Sequence, residues 1–290
     1  GKSYGTYLGT IYAQLFPDKV GRIVLDGAID PGATPLQQSL IQAVGFENAL
    51  DDFVKDCLQL DTCPLPKEAT KQYFTDLFDS VAKKPLTTST KRIATESLVV
   101  LGTASALYDS ESGWPMLRVA IKQAQNGRGF MFLSLADAYT GRQPNGTYPT
   151  SESDAGFVID CLDWNDKRTN EQMAQDAQLF KEQAPVFGPY LSYSGISCKY
   201  FDGIKQPIKI KQIKTTPIIV IGTLRDPATP YSWAVALDKL ITNSRLITLD
   251  GDGHTGHGRG SACVDKAVDE YFITGKIPAT DQKCDLSTAL

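Results

Sequence analysis

Histidine is scarce: His254 and His257 are the only two in 290 residues, so imidazole chemistry would have to use one of them. No uninterrupted apolar run nears the roughly 18 to 20 residues needed to cross a bilayer, which excludes a spanning helix within the sequence. Basic excess is also lacking. The 29 Lys and Arg stand against 33 Asp and Glu, a net charge of -4, and no basic stripe offers nucleic acid an electrostatic footprint. There is no internal repeat, no low-complexity tract and no Cys-x-x-Cys knuckle, so a repeat architecture and a zinc knuckle have no support. No metal or other cofactor is expected.

What is present is ordinary globular material, 42% hydrophobic and 21% charged, enough to build a core. Six cysteines, Cys57, Cys63, Cys161, Cys198, Cys263 and Cys284, fall into three sequence-neighbouring pairs, as short staples would. Buried free thiols are the competing reading. The local pairing 57–63, 161–198, 263–284 is one of 15 connectivities, and it favours an oxidising compartment.

Along the chain, Thr6 to Phe16 carries Leu8, Ile11, Tyr12 and Leu15 at helical spacing before Pro17, which predicts a buried helix. Val20 to Leu25, closed by Asp26-Gly27, reads as a strand buried on both faces. From about Pro31 to Gln206 amphipathic helical patterns dominate, for example Tyr73, Leu77, Phe78 and Val81. Gly141 to Ser153 reads as a loop, with Asn145-Gly146-Thr147 either a plain turn or a glycosylation sequon. Buried strands return at Ile218–Ile221 and Leu246–Leu249 with a helix between them, and a last helix with Val264, Ala267, Val268 and Tyr271 on one face stops near Gly275. The expected architecture is an α/β core over 1–30, a helical insertion over 31–206 and an α/β core again over 207–290. Three core strands are expected.

Chemistry concentrates at the ends. Gly1-x-Ser3-x-Gly5 before a helix matches the nucleophile elbow, in which a serine sits on a strained strand-to-helix turn flanked by small residues. The helix start aims its dipole at the reacting centre, and the Tyr4 amide would be one oxyanion donor. A serine needs a base, and both histidines lie in the Gly-rich loop after the second returning strand. His-x-x-His lacks a third ligand, so zinc is the weaker reading. Asp226 follows the strand at 218–221, with Pro227 stiffening its turn. Serine, acid and histidine thus come in the order that the α/β-hydrolase fold imposes, each at the end of a strand where open α/β sheets gather ligands.

Ser3-Tyr4-Gly5-Thr6, Val24-Leu25-Asp26-Gly27, Asp226-Pro227-Ala228-Thr229-Pro230-Tyr231 with Trp233, and Gly253-His254 with Ser261-Ala262-Cys263-Val264 resemble the tripeptidyl aminopeptidase-like branch of the prolyl iminopeptidase hydrolases. The resemblance covers both ends closely, with a C-terminal stretch from about 195 to 284, and the middle loosely. It implies an α/β-hydrolase fold with a large helical cap. Ser3 would be the nucleophile, Asp226 the orienting acid and His254 the base, while His257 stands where the family does not require histidine. It also implies an exported enzyme acting on peptides with free N-termini. An acid in the cap would hold the substrate ammonium, with Asp137, Asp160 and Asp163 available by type. Carboxylesterases share the fold and triad, and a silent binding module is the alternative outside catalysis. Strands and a His-Gly-Gly loop that precede the elbow in the family have no counterpart here. The sequence is therefore expected to be partial, and residues 1–290 alone are expected neither to fold stably nor to turn over.

Overall fold

The computed structural model describes residues 1–201 and 208–286. In chain order the elements are α1 (Tyr4–Leu15), β1 (Val24–Asp26), α2 (Pro35–Leu58), α3 (Gln72–Lys83), α4 (Glu96–Leu107), α5 (Gly113–Ala124), α6 (Phe130–Thr140), α7 (Glu152–Trp164), α8 (Asn170–Gln183), α9 (Gly188–Leu191), β2 (Ile218–Arg225), α10 (Tyr231–Leu240), β3 (Ser244–Asp252), α11 (Ala262–Thr274) and β4 (Gln282–Asp285). The chain divides into two compact units, one of residues 1–34 and 208–290, the other of residues 35–207.

The first unit is a parallel sheet in the order β1-β2-β3-β4. Ile218 to Ile221 are fully buried, as a continuous β-branched run must be when helices cover both faces of a parallel sheet. One face packs Val220, Leu237 and Leu246 with α10, and the other packs Ile219, Ile247, Val264 and Val268 with α11. Before α1, the Gly1 carbonyl accepts from Asp26 N–H at 3.0 Å and Ser3 N–H donates to the Asp26 carbonyl at 3.0 Å. The elbow is thus laddered to β1.

Three expectations need correction here. Of the expected α1 stripe only Ile11 is buried: Leu8, Tyr12 and Leu15 are exposed, whereas Thr6, Thr10 and Ala13 are buried. The face toward β1 admits only small side chains, since a Cβ on Gly9 would stand 2.8 Å from a Leu25 methyl. The first strand is shorter than expected: it runs from Val24 to Asp26, and residues 20–23, which follow the short 3-10 turn Pro17–Lys19, lie outside it. A fourth strand, β4, went unpredicted: Gln-Lys-Cys-Asp buries only Cys284 fully and is too polar to read as a strand.

The second unit is helical among its described residues. Phe53 packs edge-on to Phe74 and Trp114, and α4 crosses α6 so closely that a Cβ on Gly102 would stand 2.5 Å from the Phe132 carbonyl oxygen. Glu47, 1% exposed, accepts from the backbone N–H groups of Val186 and Phe187 and pairs with Lys71 at 3.3 Å. Burial pushes its carboxyl up. The expected turn at 145–147 is an Asx turn, with Asn145 Oδ1 accepting from Thr147 N–H and Oγ1.

All three local disulfides are formed: Cys57–Cys63, Cys161–Cys198 and Cys263–Cys284. The first two staple the helical unit, and the third ties α11 to β4. Among the described residues no helix is long and apolar enough to cross a membrane.

Candidate active site

The C-terminal ends of β1, β2 and β3 converge with the elbow. Ser3 adopts φ 53°, ψ -124°, a conformation that costs a non-glycine residue of order 1–3 kcal/mol and persists only when its surroundings over-determine it. Here the ladder bond to Asp26 fixes its N–H, and its carbonyl accepts from Thr6 N–H at 2.8 Å and Thr6 Oγ1 at 2.7 Å. The flanking glycines are not equivalent. A Cβ on Gly1 would stand 2.2 Å from the Gly5 carbonyl oxygen, whereas one on Gly5 meets nothing within 4 Å. Only Gly1 is required by space. Tyr4 opens α1, so its amide lies in the first helical turn, where the dipole favours negative charge.

Asp226 follows β2 in a turn that saturates its carboxylate. Oδ1 accepts from Ala228 and Thr229 N–H at 2.9 Å each, and Oδ2 accepts from Thr229 Oγ1 at 3.0 Å and Thr255 N–H at 3.2 Å. His254 Nδ1 lies 2.9 Å from Oδ2 and 3.0 Å from Oδ1. Asp226 is 3% and His254 7% exposed, so the pair acts in a low dielectric where it is electrostatically strong. The contact fixes the ring with Nδ1 toward the acid, the orientation that acid–base work at Nε2 requires. Gly27 (φ 66°) makes room for it, since a Cβ there would stand 3.0 Å from His254 Cε1. Ser3 and His254 line one open cleft of ≈ 630 Å³ together with Lys2, Thr255, His257 and Arg259.

Thr229 was not singled out from sequence, although it lies three residues after Asp226, in the Asx turn where its hydroxyl donates to the acid. Arg225 was also missed. It pairs with Asp250 at 2.8 Å and Asp252 at 2.7 Å, riveting the ends of β2 and β3. His257 Nε2 lies 3.9 Å from Asp269, apart from the Asp226 contact. Within the helical unit, Asp137 is engaged by Arg92 Nη2 at 2.9 Å and Arg142 at 3.6 Å. Asp160 and Asp163 lie one turn apart on α7. Asp160 belongs to an exposed stretch of α7, and its carboxyl is pushed up to about 6 by desolvation, with repulsion from Asp163 adding to it.

A strained serine before a helix and a buried His–Asp pair at the ends of parallel strands form an arrangement that fits the α/β-hydrolase fold. Residues 1–112 match the family model described as alpha/beta hydrolase fold, and residues 184–284 match that described as TAP-like protein. The chain belongs to the TAP-like family of the α/β-hydrolase fold. It is 33% identical over 299 residues to "Serine protease Hip1" of Mycobacterium tuberculosis strain H37Rv, covering 98% of this chain and 57% of that protein. It is 33% identical over 280 residues to "Carboxylesterase B" of the same strain, covering 93% and 53%. With "Tripeptidyl aminopeptidase" of Streptomyces lividans it shares 27% over 294 residues, 98% and 53%. The chain spans about half the length of the curated relatives it matches.

Proposed function

We propose that the protein is an exported serine exopeptidase that releases short peptides from free N-termini through an acyl-enzyme. The observation that carries this reading is the buried Asp226–His254 pair sharing a cleft with Ser3 on its strained elbow. In the proposed mechanism His254 Nε2 takes the Ser3 proton as Oγ attacks the scissile carbonyl, and Asp226 holds the tautomer and stabilises the imidazolium. The tetrahedral oxyanion takes the Tyr4 amide as one donor. Collapse expels the amine, which receives the proton from His254, and leaves an acyl-serine. Water, deprotonated by the same imidazole, then releases the peptide acid and restores Ser3.

The helical unit, residues 35–207, serves in this reading as the cap that restricts access. Asp137 is committed to two arginines, so the substrate ammonium falls to Asp160 or Asp163. The three disulfides support an oxidising, extracytoplasmic location. A similar protein bears a carboxylesterase name, so the test compares substrates. Kinetics on one tripeptide anilide with a free and an acetylated amine, and on the matched ester, should favour the free amine by at least about 10-fold in kcat/KM, the worth of one hydrogen bond to a charged group. Equal rates with and without acetylation, or turnover of the ester alone, would sink the exopeptidase reading.

A further inference from the structure

Asp226 is not the only buried carboxylate at the site. Asp26, the last residue of β1 and 2% exposed, faces the loop that follows His254. Its Oδ1 accepts from Gly256 N–H at 2.8 Å and its Oδ2 from His257 N–H at 3.0 Å. Lys2, the residue before the nucleophile, donates through Nζ to the His257 carbonyl at 2.7 Å and lies 3.9 Å from Asp26 Oδ2. The backbone of His257 is therefore held at both its N–H and its carbonyl.

The loop needs this grip. Thr255 sits at φ 72°, a conformation that is a genuine outlier for a β-branched residue, so it would relax if released. Its N–H is held by Asp226 and its carbonyl accepts from Thr223 Oγ1 at 3.1 Å. The next two N–H groups are held by Asp26. The backbone carbonyl of Asp26 is also the acceptor for Ser3 N–H. One residue thus touches the backbone of the serine with its carbonyl and the backbone beside the histidine with its carboxylate.

We infer that Asp26 and Lys2 form a second, non-catalytic acid–base pair whose task is to hold the His254 loop in register with the Ser3 elbow. Asp226 orients the imidazole, whereas Asp26 and Lys2 position the backbone that carries it. Desolvation pushes the Asp26 carboxyl up, opposed by the two N–H groups and Lys2. An amide at position 26 would face one of those N–H groups with its own NH2, so Asp26→Asn loses one acceptor while keeping the volume.

The inference rests on the hydrolase reading, and the test separates the two. In the full chain, Ser3 labelling by a fluorophosphonate, kcat, KM and thermal unfolding are measured for the parent, Asp26→Asn, Lys2→Met and the double variant. Lys2 is half exposed, so Lys2→Met keeps the fold and decides the question if Asp26→Asn does not fold. A register error of an ångström costs on the order of 100-fold in a positioned reaction. Expected, therefore, are falls of roughly 10- to 100-fold for Asp26→Asn and several-fold for Lys2→Met, in both kcat and labelling rate. KM should stay within about 2-fold, and the double variant should lose less than the product of the two falls. Folded variants with parental kcat and labelling, or losses that appear only as a lowered unfolding temperature, would overturn the inference alone. A parent chain that is never labelled at Ser3 would overturn the hydrolase reading instead.

Discussion

Thr229 Oγ1 lies 3.0 Å from Asp226 Oδ2 and 3.3 Å from His254 Nδ1, all three groups buried. The hydroxyl sits on the junction between acid and imidazole and fills a lone pair of the buried carboxylate. Replacing it by an isosteric methyl, Thr229→Val, keeps both backbone donors to Oδ1 and removes one hydrogen bond to a charge, worth about 1.5–3 kcal/mol. The expected outcome is a fall of about 10-fold in kcat with KM unchanged, read from steady-state kinetics on a single substrate. Thr229→Ser should recover most of it.

The two elbow glycines should behave oppositely. Gly1→Ala drives a methyl against the Gly5 carbonyl oxygen at 2.2 Å, and since that atom is helix backbone the elbow itself must move. Labelling of Ser3 by a fluorophosphonate should drop below about 1% of the parent rate, an estimate from the cost of displacing a reacting group. Gly5→Ala meets open space inside α1 and gains helix propensity of up to about 1 kcal/mol. Its labelling rate should match the parent, with an unfolding midpoint equal or higher.

Asp160 carries a pH signature. Its carboxyl is raised to about 6 in the folded chain, against about 3.9 when unfolded, so the folded state binds the proton more tightly. Such a group weakens the fold where it must ionise, fully so above pH 6, and the penalty fades between pH 6 and pH 4. Asp160→Asn should therefore unfold at a higher temperature than the parent at pH 7.5, and at the same temperature near pH 4. Melting curves at the two pH values check it. A variant advantage that grows toward acid pH would contradict the assignment.

Much of the parallel sheet could be read from sequence because Ile218–Ile221 and Leu246–Leu249 are runs that only a twice-covered strand tolerates. The three cysteine pairs were legible from their spacing, since each closes within one stretch of chain. The edge strand β4 was not, because an edge strand with one buried residue, Cys284, has no hydrophobic signature. The wrong face of α1 was chosen for a related reason: periodicity marks apolar residues, but the approach to Leu25 demands small ones such as Thr6, Gly9 and Ala13. At the site, chain order and strand ends single out Ser3, Asp226 and His254 as the proposed triad. They do not single out Thr229, Asp26 and Lys2, because the contribution of those residues is a set of hydrogen bonds between segments more than 20 residues apart, which no local pattern encodes.

The central claim is that Ser3 is a nucleophile activated by the His254–Asp226 pair. The most direct test is to treat the full chain with a fluorophosphonate probe at pH 7.5, digest it and locate the adduct by mass spectrometry. The account predicts one adduct on Ser3, absent from Ser3→Ala and slowed by at least about 1,000-fold in His254→Ala, the scale of losing a positioned base. An adduct elsewhere, or undiminished labelling of Ser3→Ala, would contradict it.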